Sequence, residues 1–444
     1  MGQVTPSAAS TEDDEVGREI YDLAAEIFPI CRSITGEGVR RTIGILQRHA
    51  PIQSQEIETG TAVFDWTVPN EWNISDAYIA DSNGERVVDF RRSNLHVLNY
   101  SAPVKQKMSL SKLKQHIVTL PDQPDLIPYR TSFYKEEWGF CMSHRQLEAL
   151  EAAGGEYEAV IDTSLKPGTL TWGEYLHVGR STDEVLISTH ICHPSLANDN
   201  CSGLALTTVL AREMARRETR LSYRFLFVPA TIGSITWLAS NETTLDRIKG
   251  GLVVSNVGDA GAPTYKRSRR GDCSIDRAII HVLKTSGAPF NLLDFVPYGY
   301  DERQYCSPGF NLPVGLFQRS QFGTFPEYHT SADNLDFIHP QYLASSYRCI
   351  ARALDILERN WRPINLSPKG EPQLGRRGLY AAFGSGKEAI ARNMAVLWVL
   401  NLSDGQHSLL EIAERAGLSF ELIYAAASAL ESHGLLSKSS SDGG

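Results

Sequence analysis

The chain has no apolar run long enough to cross a bilayer. Its opening stretch, Met1 to Glu15, is polar and acidic and lacks the apolar core of a secretory leader. Gly2, followed by Thr5 and Pro6, makes no convincing lipidation site. Cysteine is scarce: seven in 444 residues, an odd and scattered set that excludes a disulfide framework and fits a reducing compartment. The expected location is therefore cytoplasmic, with no membrane partner. Positive charge is in deficit as well, with 43 Lys and Arg against 52 Asp and Glu. A formal net charge of -9 argues against nucleic acid as a general partner. The longest basic cluster, Lys266 to Arg270, reads as a solvated loop or a clamp for a substrate carboxylate. Internal repeats are absent, and low complexity is confined to Ser437–Gly444.

What remains is an ordinary globular composition, 42% hydrophobic and 21% charged, in a chain long enough for two or three domains. Residues 1–15 are expected to be disordered, as are 439–444. Helical spacing begins at Val16, with Ile20, Leu23, Ala24 and Ile27 on one face, and recurs over Val39–His49. From 61 to 177 the chain is β-rich and turn-punctuated, which predicts an inserted, mostly antiparallel unit. Trp66, Trp72, Trp138 and Trp172 fall in it and read as core or interface anchors.

Beyond 178, apolar strands alternate with helices: strands at Val185–Thr189, Tyr223–Pro229, Leu252–Val257 and Val314–Gln318, helices at Gly203–Arg217, Ile275–Ser286 and Gln341–Asn360. That alternation predicts an α/β core, doubly wound on a mainly parallel sheet, formed by 16–60 and 178–365. A Pro/Gly-rich connection runs to about Gly386. Then three helical patterns ending in Gly434-Leu-Leu predict a winged-helix unit over 374–438. From Lys387 onward there are four basic and seven acidic residues, so a structural or protein-contact role is favoured over DNA reading. A homo-oligomer or a protein partner at this unit is the corresponding expectation.

Two clusters carry the chemistry. Ser188–Gly203 reads S-T-H-I-C-H-P-S-L-A-N-D-N-C-S-G, which places His190 and His193 just ahead of Asp199 at the end of a predicted strand. Pro326–Asn334 supplies Glu327, His329 and Asp333. Two imidazoles with one carboxylate form a common catalytic zinc shell, with a fourth position open. The alternative is that these are ordinary polar loop residues.

With C-H-P-S-L-A-N-D-N-C-S-G, T-I-G-S-I at Thr231, V-G-D at Val257, Y-G-Y-D-E-R-Q-Y-C-S-P-G at Tyr298, Y-H-T-S-A-D at Tyr328 and G-R-R-G-L-Y at Gly375, the chain resembles M28-like zinc aminopeptidase proteins. These have a DUF4910 core, a β-rich insertion called DUF2172 and a C-terminal winged helix. The resemblance covers about Val16 to Leu436. It implies zinc held by His193 or His190 with Asp199 and His329, the remaining histidine orienting a ligand or holding substrate. Asp259 is a weaker metal or substrate candidate, and it also reads as a loop-turn aspartate.

The chain departs from the family pattern after the strand at Tyr223. Family members place paired acidic residues there, or read P-E-T-I-G-S, whereas this chain reads Pro229-Ala230-Thr231. Thr231 points to one ion rather than two. Ala230 stands where the general-base glutamate is expected, and losing such a base costs about 10²–10⁴-fold in rate. Two explanations stand: an introduced Glu→Ala change, or a natural, repurposed member in which Glu327 or water does the work. Asp301, Glu302 or Glu327 could hold a substrate amine, Arg303 a carboxylate, and Tyr300, Tyr305 and Tyr328 could serve as oxyanion donors or packing aromatics.

The implied function is zinc-dependent, aminopeptidase-like hydrolysis of a small peptide or amino-acylated metabolite, impaired in this chain by Ala230. A metal-dependent deacylase or amide-forming enzyme of a biosynthetic pathway is the second reading. A non-catalytic binding protein on a peptidase fold is the third.

Overall fold

The computed structural model describes residues 8–379 and 387–439. The expected tails at 1–7 and 440–444, and the connection from Tyr380 to Gly386, lie outside the described residues.

Eight strands form the main sheet, in the order Gln53–Glu58, Thr169–His177, Ser222–Val228, Glu184–His190, Ile248–Val254, Val314–Gln318, Thr264–Lys266, Asn291–Leu293. The four central strands run parallel. Antiparallel joins flank them on both sides, at Thr169–His177 against Ser222–Val228 and at Thr264–Lys266 against Val314–Gln318. The sheet is therefore mixed, parallel at its centre and antiparallel where the flanking strands join it. The sequence signal came from the central strands, which are buried on both faces and read as continuous apolar runs. Alternate residues feed two cores. Val185, Ile187, Phe225, Phe227 and Leu252 face the helices Ala8–Ile27, Gly203–Ala215, Ser274–Thr285 and Pro340–Arg359. Leu186, Leu226, Val228, Val253 and Leu316 face Ile232–Asn241 and the inserted unit.

Two expectations change. The first helix starts at Ala8, so 8–15 is helical rather than disordered. Once the turns from Val16 pack Ile20, Leu23, Ala24 and Ile27 into the core, extending the helix backward adds hydrogen bonds without a new nucleation cost. The strand Thr169–His177 belongs to the core sheet, not to the insertion. It follows Glu156–Lys166 through the tight Lys166-Pro-Gly turn, so composition showed no boundary there. Trp172 lies in this strand and is buried.

The inserted unit has a four-stranded antiparallel sheet, Arg86–Asp89, Glu71–Ala80, Glu156–Lys166, Val104–Ser109, with its own core around Ile79, Phe140, Met142 and Ile161. Arg40, on the helix Glu37–Leu46, grips Glu71 of this sheet with two nitrogens at 2.6 and 3.2 Å. At the C-terminal end, helices Lys387–Leu402, Leu409–Ala416 and Phe420–Ser432 are followed by Leu436–Lys438, which pairs with Pro363–Asn365 as a wing. The third helix begins on the core: the Phe420 N–H donates to His281 Nε2 at 3.0 Å, and Arg359 lies over the Tyr424 ring.

Candidate metal centre

The parallel strands end at one edge of the sheet, and the chemistry sits there. His190 is the last residue of its strand and pairs with Val228, so Pro229-Ala230 leaves the neighbouring strand at the same edge. The next strand delivers Ser255, Asn256 and Asp259 to that edge. This is the position at which open α/β sheets bind ligands.

Asp199, fully buried, is the centre of the cluster. Its Oδ1 is 2.9 Å from His190 Nε2, and its Oδ2 is 3.1 Å from His329 Nε2 and 4.0 Å from His193 Nε2. One ligand atom each from His190, His193 and Asp199 lies within 4.8 Å of the others. His190 Nε2 and Asp199 Oδ1 are close but not aligned as donor and acceptor, and both are buried with no hydrogen-bond partner among the described residues. Orphaned buried polar atoms are costly, and a cation between them would satisfy both. Imidazole nitrogens with one carboxylate are a donor set for a divalent transition metal, so these residues fit such an ion. Burial opposes charge on Asp199, but His193, His190 and His329 hold its carboxyl well below the usual carboxylate range. Burial likewise pushes His193 well below the usual histidine range, with Asp199 opposing.

The surrounding motif builds this geometry. Asn200 Nδ2 donates to the His190 carbonyl at 3.0 Å and to Thr189 Oγ1 at 2.7 Å, fixing the strand end. Asn198 donates to Asp259 Oδ2 and accepts from the Gly258 N–H. Gly203 opens the following helix, and a Cβ there would sit 2.2 Å from Asn200 Oδ1, so the close turn requires glycine. Asp333 accepts from the amides of Asn198 and Asp199 at 2.6 and 3.0 Å, and burial pushes its carboxyl up to about 8. His329 has φ +55, a left-handed backbone uncommon outside glycine. Its carbonyl accepts from the Tyr129 N–H at 2.7 Å.

The other sequence candidates divide. Asp259 is committed to the loop web, accepting from Asn198, Gly261 and Ser320. Glu302 pairs with buried Lys266 at 2.7 Å, and burial raises its carboxyl. Arg303 is on the same short helix, Glu302–Tyr305, with a buried Nε that has no hydrogen-bond partner among the described residues. Tyr305 is buried against Ser188, hydroxyl to hydroxyl at 2.9 Å, beneath the sheet edge. Asp301 is buried: its Oδ1 meets the Ser234 hydroxyl at 2.9 Å, its Oδ2 has no partner among the described residues, and burial pushes it up to about 6 against the pull of His190. Tyr300 stacks on His190 at 4.9 Å and Tyr328 on His329 at 3.9 Å. Glu327 is half-buried, and among the described residues no hydrogen bond or ion pair joins its carboxylate to the cluster. Ala230 borders the site through its carbonyl, 3.7 Å from Cys192 Sγ.

Three contributors have roles that the sequence does not signal. Arg32, fully buried, donates to the His193 carbonyl at 2.8 Å and to Ile27 O, and its third contact is Cys201 Sγ at 3.1 Å. Asp333 was visible as a residue but not as the clamp under Asp199. Tyr129, from the inserted unit, lies 5.0 Å from the His193 ring and 5.1 Å from the His329 ring.

Residues 21–360 match the family model of a domain of unknown function, DUF4910, and residues 361–438 match a winged helix-turn-helix model, HTH_47. The first match runs through the inserted unit. A Clostridium acetobutylicum protein named for polysaccharide biosynthesis and an aminopeptidase-like domain is 50% identical over 416 residues, 94% of this chain and 95% of its own. A crystal structure described as a peptidase from the same organism superposes with a TM-score of 0.91 at 49% identity, covering 96% of this chain and 98% of the other. A zinc aminopeptidase from Bacillus subtilis superposes with a TM-score of 0.57 at 13% identity, covering 77% of this chain and 94% of the other, a likeness of fold.

Proposed function

Because the chain belongs to the DUF4910 family and has an aminopeptidase-like fold, we propose that it is a zinc-dependent amide hydrolase acting on a small peptide or an amino-acylated metabolite. The observation that carries this reading is the convergence of His190, His193 and His329 on one buried carboxylate, Asp199, with unpartnered atoms facing each other. His190, His193 and Asp199 would hold one ion, and His329 would hold or orient it. When bound, zinc supplies Lewis acidity toward the amide carbonyl and makes water acidic enough to be a nucleophile near neutral pH.

The chain's own residues set the rest. Asn200 and Arg32 hold the backbone of His190 and His193, and Asp333 holds the Asp199 loop. Asp301 offers a free carboxylate oxygen for a substrate amine. Position 230 is where a base would stand, and the methyl of Ala230 moves no proton, so hydrolysis by this chain is slow. The test is A230E beside A230Q, assayed on aminoacyl-p-nitroanilides after zinc loading. The glutamate variant is expected to exceed both the parent and the glutamine variant by about 10²–10⁴-fold. Equal rates for all three would sink the assignment of position 230.

A second reading draws support from the name of the Clostridium relative, which refers to polysaccharide biosynthesis. The same site would then remove or form an amide on a biosynthetic intermediate. An N-acylated amino-sugar panel separates it from the first: cleavage there, with none of aminoacyl anilides, favours it.

A further inference from the structure

The tyrosines around the cluster are not equivalent. Tyr305 is spent on Ser188, Tyr300 accepts from Asn256 Nδ2 at 2.8 Å, and Tyr328 pairs with Tyr300. Tyr129 differs. It is only 2% exposed, and among the described residues its hydroxyl has no hydrogen-bond partner. Its ring meets His329 edge-on and His193 at a tilt, and its hydroxyl lies within electrostatic reach of Cys192 and Asp199. A buried hydroxyl left unpaired costs about 1–3 kcal/mol, and a fold keeps one readily where a ligand completes it.

The backbone around Tyr129 is built to hold it there. Residues 123–131 of the inserted unit run against the loop that carries His329. Gln123 donates to Pro326 O at 2.9 Å, Ile127 exchanges contacts with Ser331 at 2.8 and 3.0 Å, Pro128 bridges Thr330, and the Tyr129 N–H holds the His329 carbonyl. The insertion is therefore part of the site wall.

We propose that Tyr129 is a catalytic residue contributed by the inserted unit: its hydroxyl donates a hydrogen bond to the carbonyl oxygen of an amide substrate seated at the His193–Asp199–His329 cluster. This rests on the amide-hydrolase reading above and deepens it. A preorganised neutral donor in a water-poor site, aimed where charge develops on the carbonyl oxygen, is a large single contribution to acyl transfer.

Binding tests it without turnover. Calorimetry would measure zinc uptake by the parent and by Y129F, then binding to each zinc form of acetohydroxamate, which has a carbonyl oxygen, and of butanethiol, which has none. Y129F should take up zinc and bind the thiol as the parent does, and bind the hydroxamate about tenfold more weakly. The ring remains in Y129F, so a residue that only packs would leave hydroxamate affinity unchanged, and that result overturns the proposal. Equal weakening of both probes also overturns it, because the metal site itself would then have moved. Failure of the parent to take up zinc overturns the metal reading, and the proposal falls with it.

Discussion

At the residue scale, the candidate centre converges on Asp199, and Asp333 holds its backbone. Two amide donors at 2.6 and 3.0 Å fix the 198–199 backbone to the Asp333 carboxylate. Supporting groups of this kind typically tune metal affinity by about 10–100-fold. D333A is therefore expected to weaken zinc binding in that range while leaving the chain folded, as read by competition with a chromogenic chelator. Unchanged affinity would mean that the loop is set by Asn198 and Gly203 alone. The metal-ligand candidates were legible because three of the four lie within ten residues in a motif whose spacing follows a strand end. Arg32 and Tyr129 were not legible. Each reaches the cluster from another part of the chain, and neither residue type has a spacing that distinguishes it from packing.

At the scale of elements, hydrophobic period identified the central strands and most helices to within a few residues. Gly203–Ala215, Ser274–Thr285, Val314–Gln318 and Pro340–Arg359 fall where the pattern predicts them. The pattern failed where pairing partners decide, as at Thr169–His177, whose sheet membership is set by tertiary contact. The joint between core and winged helix has a pH dependence that the sequence could not foretell. His281 accepts from the Phe420 amide, so its Nε2 must be unprotonated, and burial lowers its pKa against the pull of Glu414 and Glu421. A folded pKa below the unfolded value of about 6.5 means this joint is stable above that pH and weakens as pH falls through it. Hydrogen exchange at 419–424, corrected for intrinsic rates, should accelerate between pH 7.5 and 5.5 in the parent. In H281F it should be fast at both. Exchange independent of pH in the parent would contradict the assignment.

At the scale of the whole molecule, the inserted unit and the core meet at the candidate centre. The core supplies His190, His193, Asp199 and His329, and the insertion supplies the segment that holds the His329 loop and the Tyr129 ring against it. The winged-helix unit has an acidic balance, and its third helix starts against His281 of the core. Duplex DNA should therefore show no salt-sensitive affinity for the chain, which a fluorescence anisotropy titration at two ionic strengths would check.

Metal content reports on the candidate centre without any assumption about substrate. Chain purified without chelators and equilibrated with zinc, then desalted, would be measured by mass spectrometry of the metal beside an H193A/H329A double variant. The parent is expected to hold about one zinc per chain and to show a thermal midpoint that rises with zinc, and the variant to lose both. A parent that retains no zinc, or a double variant that retains as much, would contradict the metal-centre reading.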